Sequence, residues 1–214
     1  MMDFTTVKNI VIPEGPVKKI EIGGQTVWKA YDAEVDYLES TGTQYIDTGI
    51  VPLLTDVHHV DFQYLDISTD YTSVYGSLLT DITPYERCHL MVNDNGYIAV
   101  SVQSSHQNLV TADLNRHYFT LDFSNLSATI DSTTISLLTP GIPDNSMYIY
   151  ACHQNTSTVI QNSKLRIYSF EVVGRINLIP VRVGNVGYFY DTISGKLYGN
   201  IGTGSFIIGP DVVS

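Results

Sequence analysis

Polar and apolar residues alternate along most of this chain. In VDFQYLDI (60–67), Val60, Phe62 and Tyr64 fall on one face of an extended segment, with Asp66 following in the same phase. GYIAVSVQ (96–103) sets Ile98, Val100 and Val102 against Tyr97, Ala99 and Ser101. The same period of two runs through HYFTLDF (117–123), LSATID (126–131), MYIYACH (147–153), LRIYSFEVV (165–173) and VGYFYD (186–191). Successive side chains of a strand point to opposite faces, so each run predicts a strand with one buried face. No stretch keeps apolar residues at i, i+3, i+4 and i+7 for three turns, and no amphipathic helix is expected. NDNG (93–96), DFSN (122–125) and TPGIPDNS (139–146) supply turn chemistry between the strands. Many short strands joined in this way predict an all-β, antiparallel β-sandwich.

The first thirty residues follow a different rhythm. VKNIVI, PEGP, VKKIEI, a Gly23-Gly24 turn and QTVWK predict a small three-stranded β-meander at 1–30, ahead of a sandwich domain at 31–214. So small a sheet cannot bury enough surface to stand alone. It must dock, either on its own sandwich or as an anchoring segment in a partner, and Trp28, the sole tryptophan, is the natural anchor.

Composition sharpens the picture. Hydrophobic residues make up 43% of the chain and charged residues 15%, which is a globular rather than a disordered balance. The net charge of −11 argues against nucleic acid and anionic lipid as partners, since both need a cationic face. MMDFTTVKNI lacks the basic and apolar regions of a signal peptide, and no apolar run approaches the roughly 18 residues of a membrane span. The expectation is a chain made in a cytoplasm, without membrane insertion. Cys88 and Cys152 are too few for a disulfide framework and are expected as buried free thiols.

Two terminal motifs carry a resemblance. YLESTGTQYIDTGI (37–50) resembles the opening strand and turn of a concanavalin A-like, laminin-G-like jelly-roll family that is common in phage and prophage structural proteins. LIPVRVGNVGYFYDTISGKLYGNIGTGSFIIG (178–209) is similar to the family's closing pattern, and VYGSLL (74–79) and KLRIYSFEV (164–172) fit weaker internal positions. The leader VKNIVIPEGPVKKIEIGGQTVWKA resembles N-terminal segments of phage tail proteins. The resemblance implies an antiparallel jelly-roll β-sandwich, concanavalin A-like, with TQYIDTGI beside GSFIIG and turns at Gly42, Gly49, Gly202 and Gly204. It further implies a virion protein of tail, fibre or head, held to other virion proteins by its N-terminal segment; a homo-oligomer is expected on general grounds, since weak sugar sites need avidity to hold a cell. A bacterial surface glycan is the implied ligand, the alternative being a decoration or assembly protein whose sandwich contacts neighbouring subunits without binding glycan.

Chemistry is sparse. Glu34, Asp36 and Glu39 spell E-x-D-x-x-E, the carboxylate spacing of laminarinase-type glucanases. On a regular strand, Glu34 and Asp36 would share a face about 6–7 Å apart with Glu39 turned away. A retaining glycosidase needs its pair about 5–5.5 Å apart. No Trp-rich platform is available to hold a polysaccharide, and an enzyme is not expected. Asp122, Asn125 and Asp131 offer hard oxygen ligands for calcium, although D-x-x-N is also ordinary turn chemistry. No zinc spacing, nucleophile elbow or P-loop is present. Two segments read as loops, 80–96 and 151–163, hold the aromatic, amide and cationic groups that grip sugars: Tyr85, Arg87, His89, Asn93, Asn95, His153, Gln154 and Asn155. They are the candidate glycan-binding residues, against the plainer alternative of solvated loops.

Overall fold

The computed structural model describes residues 11–12, 15–22, 24–67, 71–139, 141–156 and 158–213. They form the expected all-β jelly-roll sandwich. One sheet runs in the order Ser105–Thr111, Tyr97–Val102, Glu86–Val92, Thr72–Leu79, Tyr148–Ile149, Ile46–Asp47. Cys152–Gln154 also pairs with Thr72–Leu79, in parallel, and carries Thr158–Ile160 on its other side, making eight described strands. The facing sheet runs Thr133–Ser136, Ser127–Ile130, Arg116–Asp122, Val57–Tyr64, Lys164–Val172, Ile176–Val183, Val186–Asp191, Leu197–Tyr198. Ala33–Glu34, Leu38–Thr41 and Ile207–Ile208 complete its eleven described strands.

The alternation read from the sequence becomes the core. Val60, Phe62, Tyr64, Phe119, Leu121 and Phe170 of the larger sheet meet Tyr75, Leu90, Val92 and Val100 of the smaller, all with no exposed surface. Tyr75 and Phe170 cross the interface edge to face, with ring centroids 5.3 Å apart. Burying each such side chain contributes about 1.5–3 kcal/mol. Two hydroxyls in this layer find partners: the Tyr150 hydroxyl donates to the Leu38 carbonyl at 2.6 Å, and the Tyr75 hydroxyl meets His58 Nδ1 at 3.0 Å.

The chain's two ends are clasped as the terminal motifs imply. Leu38–Thr41 pairs with Ile207–Ile208. The buried Gln44 amide accepts from the Thr41 N–H at 2.8 Å through Oε1 and donates to the Thr203 carbonyl at 3.1 Å through Nε2. Thr203 N–H donates back to the Thr43 carbonyl at 3.1 Å. Asn200 Oδ1 accepts from both Tyr45 N–H and Gly202 N–H. The backbones lie so close that a Cβ on Gly202 would collide with the Thr43 carbonyl oxygen.

Several expectations are corrected. The N-terminal segment is not one three-stranded meander among the described residues. Val11–Ile12 pairs with Gly15–Pro16, and Lys19–Ile22 pairs separately with Gln25–Lys29. Pro16 has no N–H to donate to a third strand. Most of VKNIVI, and Gly23 of the expected turn, lie outside the described residues. The segment touches its own sandwich through Pro16 against Gly195 and Lys18 against Glu34 at 3.3 Å, while Trp28 keeps 39% of its surface exposed. MYIYACH is two strands rather than one, because Tyr150 takes a left-handed φ of 69° that turns its ring into the core. The segments 80–96 and 151–163 are not simply loops: Glu86–Val92 is a central strand, and Cys152–Gln154 and Thr158–Ile160 are strands as well. Arg87 and His89 masked the alternation of Cys88, Leu90 and Val92, which face the core. Cys88 and Cys152 are buried free thiols, as expected.

Gly202→Ala is expected to destabilise the sandwich by about 1–3 kcal/mol, because the added methyl forces the terminal clasp apart. Urea unfolding measures it, and an unchanged midpoint would mean that the two ends separate without cost.

Candidate functional site

Strand pairing determines which side chains share the outer face of the eight-stranded sheet. His89 lies opposite Gly76 on one side and Ser101 on the other, and Ser101 lies opposite His106. Gly76 in turn lies beside Cys152. One row along, Arg87 lies opposite Leu78, which lies beside Gln154. Tyr71, which precedes the strand Thr72–Leu79, and Gln161, which follows the strand Thr158–Ile160, close over these rows. Together Tyr71, Leu78, Arg87, His89, Met91, Ser101, His106 and Gln161 enclose a recess of about 190 Å³.

Its floor is tightly fitted. The His89 ring packs against Gly76, where a Cβ would stand 2.6 Å from its Cδ2. His89 Nε2 and Ser73 Oγ are 2.6 Å apart. Burial, then the neighbouring His106 and Arg87, push the His89 pKa down to about 3, so the imidazole is neutral near pH 7. Burial and Arg87 also lower His106. Arg87 stays charged although burial works against it. Its Nη1 donates to Ser101 Oγ at 3.2 Å and faces His106 Nε2 at 3.3 Å, and its guanidinium sits 5.2 Å from the Tyr85 ring. Its Nε is buried with no hydrogen-bond acceptor among the described residues.

The eight candidate residues therefore separate into two groups. Arg87 and His89 line the recess, with Tyr85 exposed beside Arg87. The others chiefly build the scaffold. Asn93 is buried and ties the turn after Glu86–Val92: its Oδ1 accepts from Asn95 and Tyr97 N–H, and its Nδ2 donates to Asn108. The Asn95 side chain donates to Asp94. His153 stacks on Tyr148 with centroids 4.1 Å apart and meets the Ser146 carbonyl through Nδ1 at 2.8 Å. Gln154 Nε2 donates to Thr80 Oγ1, and Asn155 Oδ1 accepts from Thr80 N–H. Tyr71, Ser101, His106 and Gln161 join the site without having been singled out. The polar face of GYIAVSVQ pointed to Ser101; only the pairing of strands brings in the rest.

The other candidate chemistry disperses. Glu34 and Glu39 lie on separate short strands that pair with different neighbours, Ile176–Val183 and Lys164–Val172. Glu34 accepts from the Tyr31 hydroxyl at 2.6 Å, which holds its carboxyl below the usual range, and Glu39 pairs with Arg166 Nε at 2.8 Å. Asp122 and Asn125 bond each other across a turn, whereas Asp131, beyond the strand Ser127–Ile130, meets His117 at 2.7 Å. Asp122 and Asn125 thus follow the turn reading, the calcium alternative is not brought together, and no group of three acidic, His or Cys side chains suited to a metal occurs among the described residues.

No protein-family model matches this sequence, and no curated protein matches it. Among solved structures the chain is similar to a native heptameric SAP-like pentraxin from Limulus polyphemus, at 9% identity and a TM-score of 0.49, over 86% of this chain and 98% of that one.

A neutral, buried His89 binds fewer protons folded than unfolded, so it stabilises the fold fully above its ordinary value of 6.5 and progressively less as pH falls toward about 3. Across that window the loss from this group is about 1.4 kcal/mol per pH unit. Urea titrations between pH 7 and 4 should show a shallower decline for His89→Gln than for the native chain; parallel curves would remove His89 from the acid response.

Proposed function

We propose that this chain is a non-enzymatic, lectin-like module of a phage virion that holds a host-surface glycan in the recess on the outer face of its eight-stranded sheet. The observation that carries the glycan reading is that recess, in which a charged Arg87, two histidines, Tyr71 and Gln161 converge on a rigid sheet. Saccharides are gripped by such groups, with planar donors taking hydroxyls and an aromatic face taking a C–H patch. The non-enzymatic reading is supported by the acids: a general acid needs a raised pKa, whereas Tyr31 holds Glu34 down and Glu39 is committed to Arg166.

The virion setting rests on the terminal motifs and the short leader, with residues 1–30 as the segment that joins other virion proteins. A single small recess binds a sugar weakly, and several copies displayed together hold a cell by avidity, so the reading includes a homo-oligomer.

Purified protein is expected to bind host cell-wall polysaccharide on a glycan array, and Tyr71→Ala to weaken that binding at least tenfold, about 1.4 kcal/mol. Absence of any polysaccharide signal, or an unaffected Tyr71→Ala variant, would refute the glycan reading. Deleting residues 1–30 should abolish incorporation into particles while leaving saccharide binding intact; normal incorporation of the shortened chain would remove the anchoring role.

A further inference from the structure

The five arginines of this chain provide an internal comparison. Arg116 donates through Nε and Nη2 to the two oxygens of Asp61, both at 2.7 Å. Arg182 does the same to Asp211 at 2.7 and 2.6 Å. Arg166 gives Nε to Glu39 at 2.8 Å, and Arg175 gives Nη1 to Asp56 at 2.6 Å. Arg87 alone has no carboxylate partner among the described residues. Its Nη1 is engaged by Ser101 and His106, and its Nε is buried without an acceptor among the described residues. A partly desolvated cation left without a carboxylate is less stable than a paired one, and a guanidinium matches the two oxygens of a carboxylate in plane. None of the recess-lining residues is acidic, and the acid acting on Tyr71 and His106 is Asp94, in the turn 93–96.

We infer that the recess takes a carboxylate on the guanidinium of Arg87, so that its ligand is an acidic saccharide of the uronate class. The inference rests on the reading of the recess as a saccharide site. At about 190 Å³ the recess is smaller than the ~300–1,000 Å³ of drug-sized pockets and suits one sugar unit. A second recess of about 300 Å³ adjoins it, and Tyr71 and Gln161 line both. Thr72 Oγ1, in that second recess, is another buried side-chain atom with no partner among the described residues. The shared wall is held in unusual backbone: Tyr71 and Gln161 take left-handed φ angles of 47° and 58°, a strain that persists where a site requires it. The acidic unit thus sits at Arg87 and the next unit of the chain lies across Tyr71, within reach of Thr72.

Calorimetry with oligomers of galacturonate, glucuronate and mannuronate, each against a neutral counterpart of equal length, tests this. At least one uronate oligomer is expected to bind at least tenfold more tightly than its neutral counterpart. Arg87→Gln and Arg87→Lys should each bring the uronate affinity down to that of the neutral counterpart. Equal affinity for acidic and neutral oligomers overturns the carboxylate assignment and leaves the saccharide site standing. No binding of any saccharide overturns both. Sodium sulfate or inorganic phosphate binding as tightly as the uronates, with the same Arg87 dependence, reduces the recess to a general oxyanion site and overturns the inference. In the native protein, the arginine Nε–H resonance that disappears in Arg87→Gln should shift when the uronate is added. A resonance that stays in place overturns the assignment without reliance on how the variants fold.

Discussion

Backbone hydrogen bonds at the surface gain little over those made to water, and they become strong constraints only where water is kept out. At the join between the chain's two ends Gln44 meets that condition. Its amide is 2% exposed and holds Thr41 on one side and Thr203 on the other. Around it the two backbones approach closely enough that only glycine fits at 202. With the ends locked, Leu38–Thr41 lies between Lys164–Val172 and Ile207–Ile208, and the Leu38 carbonyl faces inward to receive the Tyr150 hydroxyl from the opposite sheet. The clasp therefore does more than cover an edge: it sets the position of one sheet against the other.

Closing the sandwich leaves the outer face of the smaller sheet as the place where the alternation has a second use. An outer face normally carries exposed polar groups, because burying them without partners is expensive. Here Ser73, His89 and Ser101 are nearly or wholly buried on that face, beneath Tyr71, Arg87, His106 and Gln161. The sheet also breaks its regular geometry there: a register shift between Leu90 and Met91 offsets Glu86–Val92 against Thr72–Leu79 beside the recess. Such irregularities bend a strand and re-aim its side chains. The face is thus organised around the recess, not merely exposed beside it.

The fold was legible because its signal is local. Strands such as 60–64 and 186–191 state their buried face through alternation alone, and the glycines of the two terminal motifs mark where backbones must come close. The site was half legible for the opposite reason. Arg87 and His89 attract notice as chemistry, but their polarity conceals the strand that carries them and leaves 80–96 reading as a loop shared with Asn93. Tyr71, Ser101, His106 and Gln161 come from four other parts of the chain, and only cross-strand register unites them. Asn93 and Asn155 misled in turn: amides suited to sugar hydroxyls are equally suited to tying turns, and that is their use here.

On the proposed reading, an acidic protein recognises an acidic sugar, and the two facts are compatible because they act over different distances. The net charge of −11 repels a polyanion at long range, but salt screens exposed charges beyond about 8 Å at physiological ionic strength. Contact with Arg87 takes place inside the recess, where screening is weak and the guanidinium has already lost much of its water. Repulsion then acts on the rate of encounter, while the paired charge acts on how long the ligand stays. The other four arginines, each neutralised by an acid of this chain, add nothing to the attraction. Selectivity would reside in Arg87, the one arginine without an acid partner among the described residues, with the surrounding negative charge discouraging anions that cannot reach it.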